Sequence, residues 1–146
     1  MYVTRLEDKH IEAVLELERL CFAHPISENN LKMLLTEGSG TGFVLLDEEE
    51  RTVAYGGIIC VLDEGQILNR ATHPEHRRRG YGKKIMEEIV THAKEKQIAF
   101  ITLEVRESND AALSLYHGMG FYEVGKIKGY YDTPKEDAII LRLDLV

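Results

Sequence analysis

The sequence predicts one α/β domain in which a mixed sheet carries helices on both faces. Its length of 146 residues corresponds to about one domain of ordinary size. Apolar residues make up 44% of the chain and charged residues 29%, as in globular proteins and unlike disordered ones. From residue 66 onward, strand-like and helix-like patterns alternate along the chain, which is typical of an α/β fold. We therefore expect a core that is stable without disulfides or metal ions.

The first half of the chain is expected to form a strand, two helices and three further strands. Asp8 is a candidate N-cap for the first helix, and Pro25 separates this helix from a second one that Ser27 caps. The adjacent Gly56 and Gly57 in the middle strand of the three predict a bulge or a close backbone approach. The predicted elements are strand 2–6, helix 8–22, helix 27–35, strands 42–47, 51–62 and 66–72, and turns at 48–50 and 63–65.

The second half opens with a strongly amphipathic helix over residues 80–96. Its charged residues share one face, and the opposite face is formed by Ile85, Met86, Ile89, Val90 and Ala93. The elements that follow are predicted as strand 99–105, helix 109–117, and strands 121–128 and 138–145. Because strands separated by helices usually pair in parallel through crossover connections, we expect largely parallel pairing in this half.

The charge of the chain favours a small anionic ligand over a nucleic acid. The 18 basic and 25 acidic residues give a net charge of −7, which disfavours binding to a phosphate backbone. Five cations nevertheless lie close together, at Arg77, Arg78, Arg79, Lys83 and Lys84. A concentrated positive region on an acidic protein suits a small anion. We therefore expect no direct nucleic-acid partner.

No segment of the sequence predicts secretion or insertion into a membrane. The longest apolar run, residues 53–62, is too short to cross a bilayer and is interrupted by glycines. No basic leader precedes an apolar stretch at the start of the sequence. Cys21 and Cys60 lack the C-x-x-C spacing and lie among apolar residues, so we interpret both as buried thiols in a reducing compartment. These features predict a cytoplasmic protein with no membrane partner.

Residues 73–83 predict a binding loop for a phosphate group. They lie between a strand and the start of the long helix, where free backbone N–H groups and the helix dipole attract anions. Gly80 and Gly82 allow the backbone to approach a phosphate closely. The dinucleotide fingerprint and the Walker loop are both excluded, since Ile85 and Arg77 stand where each motif needs a glycine. The loop therefore predicts a different pyrophosphate site, the alternative being a solvated helix start whose cations oppose the dipole.

Two side chains farther along the chain are candidates for acid–base chemistry. Glu104 ends a strand, and the carboxyl ends of such strands are where α/β sheets bind ligands and where a carboxylate can accept a proton. Tyr116 lies on the apolar face of the next helix, with a hydroxyl that needs a partner. A surface carboxylate and a core tyrosine are the alternatives when each residue is taken alone.

Several of these residues together resemble the GNAT N-acetyltransferase superfamily. Arg-Arg-Arg-Gly-Tyr-Gly at 77–82 is similar to its acyl-CoA-binding loop. Leu-Glu-Val-Arg-x-Ser-Asn at 103–109, followed by Tyr116, resembles the ribosomal-protein-alanine N-acetyltransferases in particular. So do Gly-Tyr-Tyr at 129–131 and Glu-Asp-Ala-Ile-Ile-Leu at 136–141. The similarity covers nearly the whole chain and is strongest in its second half.

The resemblance implies a fold, an activity and a set of site residues. The fold would be a mixed, mostly antiparallel sheet whose central parallel pair splays apart, with helices on both faces. The enzyme would transfer acetyl from its co-substrate acetyl-CoA to the N-terminal α-amine of a protein, in particular an alanine-starting ribosomal protein. Glu104 matches the family's general base, and Tyr116 its general acid. The residues implied in acetyl-CoA binding are Arg70, Ala71 and Thr72 through their backbone, together with Arg77, Arg78, Arg79, Gly80, Tyr81, Gly82, Lys83 and Asn109. Those implied at the peptide entrance are Tyr130 and Tyr131.

Two positions depart from the family's pattern. Ile26 stands where the family usually has tryptophan, and Thr72 ends a segment that usually reads Asn-x-Ala-Val. The first departure touches the acceptor side, so other protein N-termini or a small amine stay open as acceptors. A non-catalytic acyl-CoA-binding module is an alternative from another class, and a nucleic-acid-binding module is a third that the net charge disfavours. His73 and His76 lack further ligands at metal-binding spacing, so we expect no metal site.

Overall fold

The computed structural model describes residues 1–35 and 39–146 as strands, helices and short connections. The strands are β1 (Tyr2–Arg5), β2 (Gly40–Leu46), β3 (Thr52–Val61), β4 (Glu64–Thr72), β5 (Phe100–Arg106), β6 (Tyr122–Asp132) and β7 (Lys135–Asp144). The helices are α1 (Ile11–Cys21), α2 (Glu28–Lys32), α3 (Tyr81–Glu95) and α4 (Asp110–Gly118), with 3-10 turns at Asp8–His10, Met33–Leu35 and Pro74–His76. Among these residues no helix has the length and apolar character that crossing a membrane requires.

All seven of these strands belong to one sheet, in the order β1-β2-β3-β4-β5-β7-β6. β4 and β5 pair in parallel, and the other neighbouring strands pair antiparallel. The mixed, mostly antiparallel sheet with a central parallel pair is therefore confirmed. The expectation of largely parallel pairing in the second half was wrong, because β7 inserts between β5 and β6 and runs antiparallel to both.

Helices cover both faces of the sheet, as predicted. α1 and α2 pack on one face and α3 and α4 on the other, while alternate residues of β2 point into each of the two cores. At Gly57 an added Cβ would lie 2.4 Å from Leu34 Cδ1, and at Gly56 it would lie 2.7 Å from Ile85 Cγ2. These glycines thus let elements from both faces close on β3, and the predicted bulge is confirmed between Gly56 and Ile58.

The ends of some elements differ from the prediction in the first half. Glu7, one residue before the predicted Asp8, is the N-cap, and it precedes a 3-10 turn that leads into α1. The second helix, predicted over 27–35, is α2 followed by a 3-10 turn. The turn predicted at 63–65 is tighter, since β4 begins at residue 64 and Leu62 takes a left-handed φ of 56°.

The last two strands extend well beyond their predicted limits at residues 128 and 138. They form one long hairpin whose tip lies at Thr133 and Pro134. Arg106 of β5 donates to the carbonyls of both tip residues, at 3.1 Å and 2.9 Å. Because this arginine comes from a distant part of the chain, the local pattern of turn residues did not predict the ordered hairpin.

Candidate active site

The central parallel pair of strands separates after a short stretch of pairing. β4 and β5 are in register over three residue pairs, the last of which is Gln66 opposite Thr102. Beyond this point β4 keeps its partner β3 on the other edge. Arg70, Ala71 and Thr72 therefore lie where the edge of β4 that faces β5 has no ladder partner among residues 1–35 and 39–146. Such an edge can offer backbone N–H and C=O groups to an extended ligand.

The start of helix α3 has no side-chain cap. Its N-cap is Gly80, at φ 80°, and no side chain in the described part of the chain accepts a hydrogen bond from the first N–H groups. Ser27 and Asn109, in contrast, accept from backbone N–H groups at the starts of α2 and α4, at 3.1 Å and 3.2 Å. At Gly82 an added Cβ would lie 3.6 Å from Thr72 Oγ1, so the first turn of α3 lies beside the end of β4. An uncapped helix start next to an unpaired strand edge fits a pyrophosphate with an extended arm.

The predicted loop residues around this helix start take different positions. Arg77 turns back toward the body of the protein, where Nε donates to the Thr72 carbonyl at 3.3 Å and Nη2 donates to Cys21 Sγ at 3.4 Å. It therefore ties the loop to β4 and α1. Tyr81, the first residue of α3, is half-buried. The remaining predicted cations are exposed, and they are Arg78, Arg79 and Lys83.

Glu104 lies on β5 just beyond the last residue that pairs with β4. Its side chain is half-buried, and Oε1 accepts a hydrogen bond from Gln66 Nε2 at 3.3 Å. Burial raises the pKa of the Tyr130 and Tyr131 phenols, and the nearby Glu104 carboxylate adds to both rises. The structure thus brings the predicted base and the predicted peptide entrance into one region.

Tyr116 reaches the same region from helix α4, which packs on the face of the sheet opposite to α1 and α2. Its side chain is 4% exposed and packs edge-on against Phe121, with ring centroids 5.7 Å apart. The Tyr116 hydroxyl accepts a hydrogen bond from Arg70 Nε, and the Arg70 guanidinium carbon lies 5.1 Å from the tyrosine ring centroid. Arg70 Nη2 also donates to the Glu104 main-chain carbonyl at 2.8 Å. One guanidinium therefore joins the phenol to the strand that carries the carboxylate.

The Arg70 side chain is a site residue that sequence reasoning missed, because the resemblance implied only its backbone. A signal was present, since the residue is a cation in the second half of a predicted strand, next to the apolar Ala71 and two residues after Leu68. A charged group in such a strand must find partners at an opening of the sheet. Arg70 finds them at the point where β4 and β5 separate.

Both tyrosines of the predicted peptide entrance lie on the β6–β7 hairpin. The rings of Tyr130 and Tyr131 are nearly perpendicular, with centroids 5.0 Å apart. Arg106 lies over the Tyr131 ring at 4.3 Å and pairs with Glu136 at 3.2 Å. These contacts fix the tip region of the hairpin to β5, so the two tyrosines have a defined position relative to Glu104.

The segment between α1 and α2 faces the tip of this hairpin. His24 Nε2 lies 3.0 Å from Asp132 Oδ1 and 3.3 Å from Thr133 Oγ1. Both side chains are largely exposed, at 71% and 76%. The contact therefore joins this segment to the tip of the hairpin at the protein surface.

A buried carboxylate anchors the same segment from beneath. Glu18 of α1 is fully buried and accepts hydrogen bonds from Tyr55 Oη at 2.5 Å, Asn69 Nδ2 at 3.0 Å and the Ile26 N–H at 2.9 Å. Burial and the Glu18 charge together raise the pKa of the Tyr55 phenol, which stays protonated and donates. Sequence reasoning missed this network as well. The signal was Glu18 itself, a carboxylate four residues after Val14 on the apolar face of the helix.

The two cysteines are half-buried, less than the predicted full burial. Burial raises the pKa of both thiols, which disfavours the nucleophilic thiolate. An acyl-cysteine intermediate is therefore not favoured. In the part of the chain that the structure describes, no three His, Cys, Asp or Glu side chains form a metal-binding group.

Comparison with known proteins agrees with this geometry. The profile of the Acetyltransferase (GNAT) family matches residues 11–121. The [Ribosomal protein bS18]-alanine N-acetyltransferase of Escherichia coli K12 is 31% identical over 145 residues, which cover 98% of this chain and 97% of that protein. The crystal structure of the ribosomal-protein-S18-alanine N-acetyltransferase from E. coli superposes with a TM-score of 0.90 at 30% identity, over 99% of this chain and 93% of that one.

A more distant structure shares the fold alone. Arabidopsis thaliana NAA60 in complex with acetyl-CoA has a TM-score of 0.86 at 15% identity, over 99% of this chain and 98% of that one. The family match, the full-length relatives and the seven-stranded sheet with its separated parallel pair all lead to the same assignment. This chain belongs to the acetyltransferase (GNAT) family and is an acetyl-CoA-dependent N-acetyltransferase.

Proposed function

We propose that this enzyme acetylates the N-terminal α-amine of a protein, and that its acceptor is an alanine-starting ribosomal protein of the bS18 type. The observation that carries the proposal is the convergence of Glu104, Tyr116 and the Tyr130–Tyr131 pair at the opening between β4 and β5. The acceptor assignment is supported by the 31% identical E. coli relative, whose name specifies that substrate. We expect the reaction to take place in the cytoplasm, where ribosomal proteins are made.

In this proposal the donor binds along the groups that the fold leaves open. The pyrophosphate would lie at the uncapped start of α3, and the exposed cations Arg78, Arg79 and Lys83 would add attraction. The pantetheine arm would extend along the edge of β4 at 70–72. Asn109 would contact the donor from the start of α4, where its Oδ1 already accepts from the Ala112 N–H. The thioester would then lie between Glu104 and Tyr116.

The chemistry is a direct transfer. Glu104 takes a proton from the terminal ammonium group, directly or through water, and the free amine nitrogen then attacks the thioester carbon. The second proton that the nitrogen loses as the amide forms goes to water. When the C–S bond breaks, its electron pair goes to sulfur, and the Tyr116 hydroxyl gives the thiolate its proton. An ordinary α-amine has a pKa of about 7.7–8.0, so only a mild base is needed near neutral pH.

A peptide panel tests the acceptor assignment. Release of free thiol from acetyl-CoA is measured with short peptides that share one sequence and differ only in the first residue. We expect the highest kcat/KM for an alanine-starting peptide, and no turnover when its α-amine is blocked beforehand. A higher kcat/KM for a small amine, or equal values for every first residue, would contradict the proposed acceptor while leaving the acetyltransferase activity intact.

A further inference from the structure

The guanidinium of Arg70 occupies an unusual position for a cation, between two groups assigned to catalysis. Nε donates to the Tyr116 hydroxyl, and Nη2 donates to the Glu104 main-chain carbonyl at 2.8 Å. The second bond fixes the guanidinium relative to β5, so the first bond is made from a defined direction. Tyr116 itself is almost fully buried and packs on Phe121, which leaves its ring little freedom to turn.

The direction of the Arg70–Tyr116 hydrogen bond has a chemical consequence. A tyrosine hydroxyl has one proton to donate and lone pairs that accept, whereas a guanidinium has donors only. Arg70 therefore binds a lone pair of the Tyr116 oxygen and cannot hold its proton. The hydroxyl proton therefore stays available to another acceptor. An amide or carboxylate at position 70 could itself accept this proton and would compete with that acceptor.

The charge of Arg70 has a second consequence. When Tyr116 gives up its proton, a negative charge forms on an oxygen in direct contact with a cation. Because the Tyr116 side chain is only 4% exposed and Arg70 is half-buried, the Coulomb attraction between the two groups is stronger than it would be in solvent. The same contact that directs the proton outward thus also stabilises the phenolate that remains.

We propose that Arg70 is a positioning residue that presents the Tyr116 proton to the departing thiolate and then stabilises the phenolate. The inference rests on the proposed role of Tyr116 as general acid. In the step itself, the C–S bond breaks, the proton passes from Tyr116 Oη to sulfur, and free coenzyme A leaves as a thiol. The proton that Glu104 took from the amine is released to water, from which Tyr116 is protonated again.

A double-mutant cycle tests the proposal, with the variants Arg70→Gln, Tyr116→Phe and the combination of both. General-acid removal costs about 10²-fold or more in rate, so we expect that loss in kcat for Tyr116→Phe. Arg70→Gln should lower kcat by about tenfold or more with the KM for acetyl-CoA little changed. Because Arg70 acts through Tyr116, the double variant should be about as slow as Tyr116→Phe alone, within about twofold.

Two further variants separate this role from a merely structural one. Arg70→Lys keeps a cation with donors only, so it should recover part of the kcat that Arg70→Gln loses, even if the glutamine variant folds poorly. Arg142→Gln is the matched control, since Arg142 also lies over an aromatic ring, that of Phe100 at 3.7 Å, away from the site. This control should keep the kcat of the wild-type enzyme.

The possible failures are distinguishable. Losses that multiply in the double variant, or a lysine variant no better than glutamine, would overturn the role of Arg70 while Tyr116 keeps its own. Full kcat in Tyr116→Phe would overturn both the general-acid assignment and the inference that depends on it. The peptide panel would still report the acceptor in either case.

Discussion

The donor side and the acceptor side of this enzyme are built from different materials. The proposed donor side rests mainly on main chain, namely the unpaired edge of β4 and the uncapped start of α3, with exposed cations beside that helix start. The proposed acceptor side rests on side chains from distant elements, with Glu18 beneath and the His24–Asp132 pair at the surface. A backbone-built site follows from the fold, whereas a side-chain-built site depends on each residue that contributes to it. We therefore expect substitutions of single side chains to affect the acceptor more than the donor.

The two contacts of the acceptor side also differ from each other. The Glu18 carboxylate is fully buried and receives three hydrogen bonds, whereas the His24 and Asp132 side chains are largely exposed. Buried polar groups are costly to leave without partners, and exposed ion pairs contribute little. The stability of the proposed acceptor side and its affinity for the peptide should therefore depend on Glu18 far more than on His24 and Asp132.

The largest effect is expected where the two sides meet, at Glu104. Glu104→Gln should lower kcat/KM for the peptide by about 10²-fold below pH 7, since the base is lost. The loss should shrink above pH 8, because the free form of an ordinary α-amine with a pKa of about 7.7–8.0 then predominates. A pH–rate profile of both enzymes measures this. Glu64→Gln, at the exposed start of β4, is the control, and a loss equal at every pH would contradict the role as base.

The next effect concerns the buried anchor of the acceptor side. Glu18→Ala leaves Tyr55, Asn69 and the Ile26 N–H without their acceptor, so we expect the free energy of unfolding to fall by about 3 kcal/mol or more. The KM for the peptide should rise more than the KM for acetyl-CoA. Urea unfolding and steady-state kinetics measure the two effects. Glu16→Ala changes an exposed glutamate of the same helix and should have little effect on either.

On the donor side, Gly80→Ala should weaken binding of coenzyme A rather than binding of the peptide. An added Cβ has nothing within 4 Å, but the φ of 80° is unfavourable for alanine by about 1–2 kcal/mol. The start of α3 should shift, so the Kd for coenzyme A should rise while the KM for the peptide changes little. Gly118→Ala also adds a Cβ in open space, without a positive φ, and serves as the control. Unchanged binding of coenzyme A by Gly80→Ala would count against the proposed pyrophosphate site.

The smallest effect is expected at the surface pair. Asp132→Asn should change the KM for the peptide by about twofold, because exposed ion pairs are weak and screened by salt. Asp144→Asn removes the acid of another exposed pair, with Arg142, and controls for the charge change. A tenfold rise in the peptide KM for Asp132→Asn alone would show that the surface contact, rather than Glu18, holds the acceptor side together.

The contrast between the sides also explains what the sequence could predict. The predicted phosphate loop and the candidates Glu104 and Tyr116 come from local patterns, since each depends on the position of a residue within one strand or helix. The Arg70–Tyr116 contact joins residues 46 positions apart, and Glu18 meets Asn69 across 51 positions. These contacts arise from how separate elements pack, which no local pattern records. The largely parallel pairing expected for the second half was wrong for the same reason, since β7 inserts between β5 and β6 and runs antiparallel to both.

A crystal structure with coenzyme A bound is the decisive measurement. Pyrophosphate oxygens should accept hydrogen bonds of about 2.9 Å from backbone N–H groups at the start of α3. The sulfur should then lie beside the Tyr116 hydroxyl, in the opening between β4 and β5. A nucleotide bound elsewhere, for example in the cleft lined by Arg5, Thr41 and His92, would contradict the assignment of both the donor site and the residues placed around it.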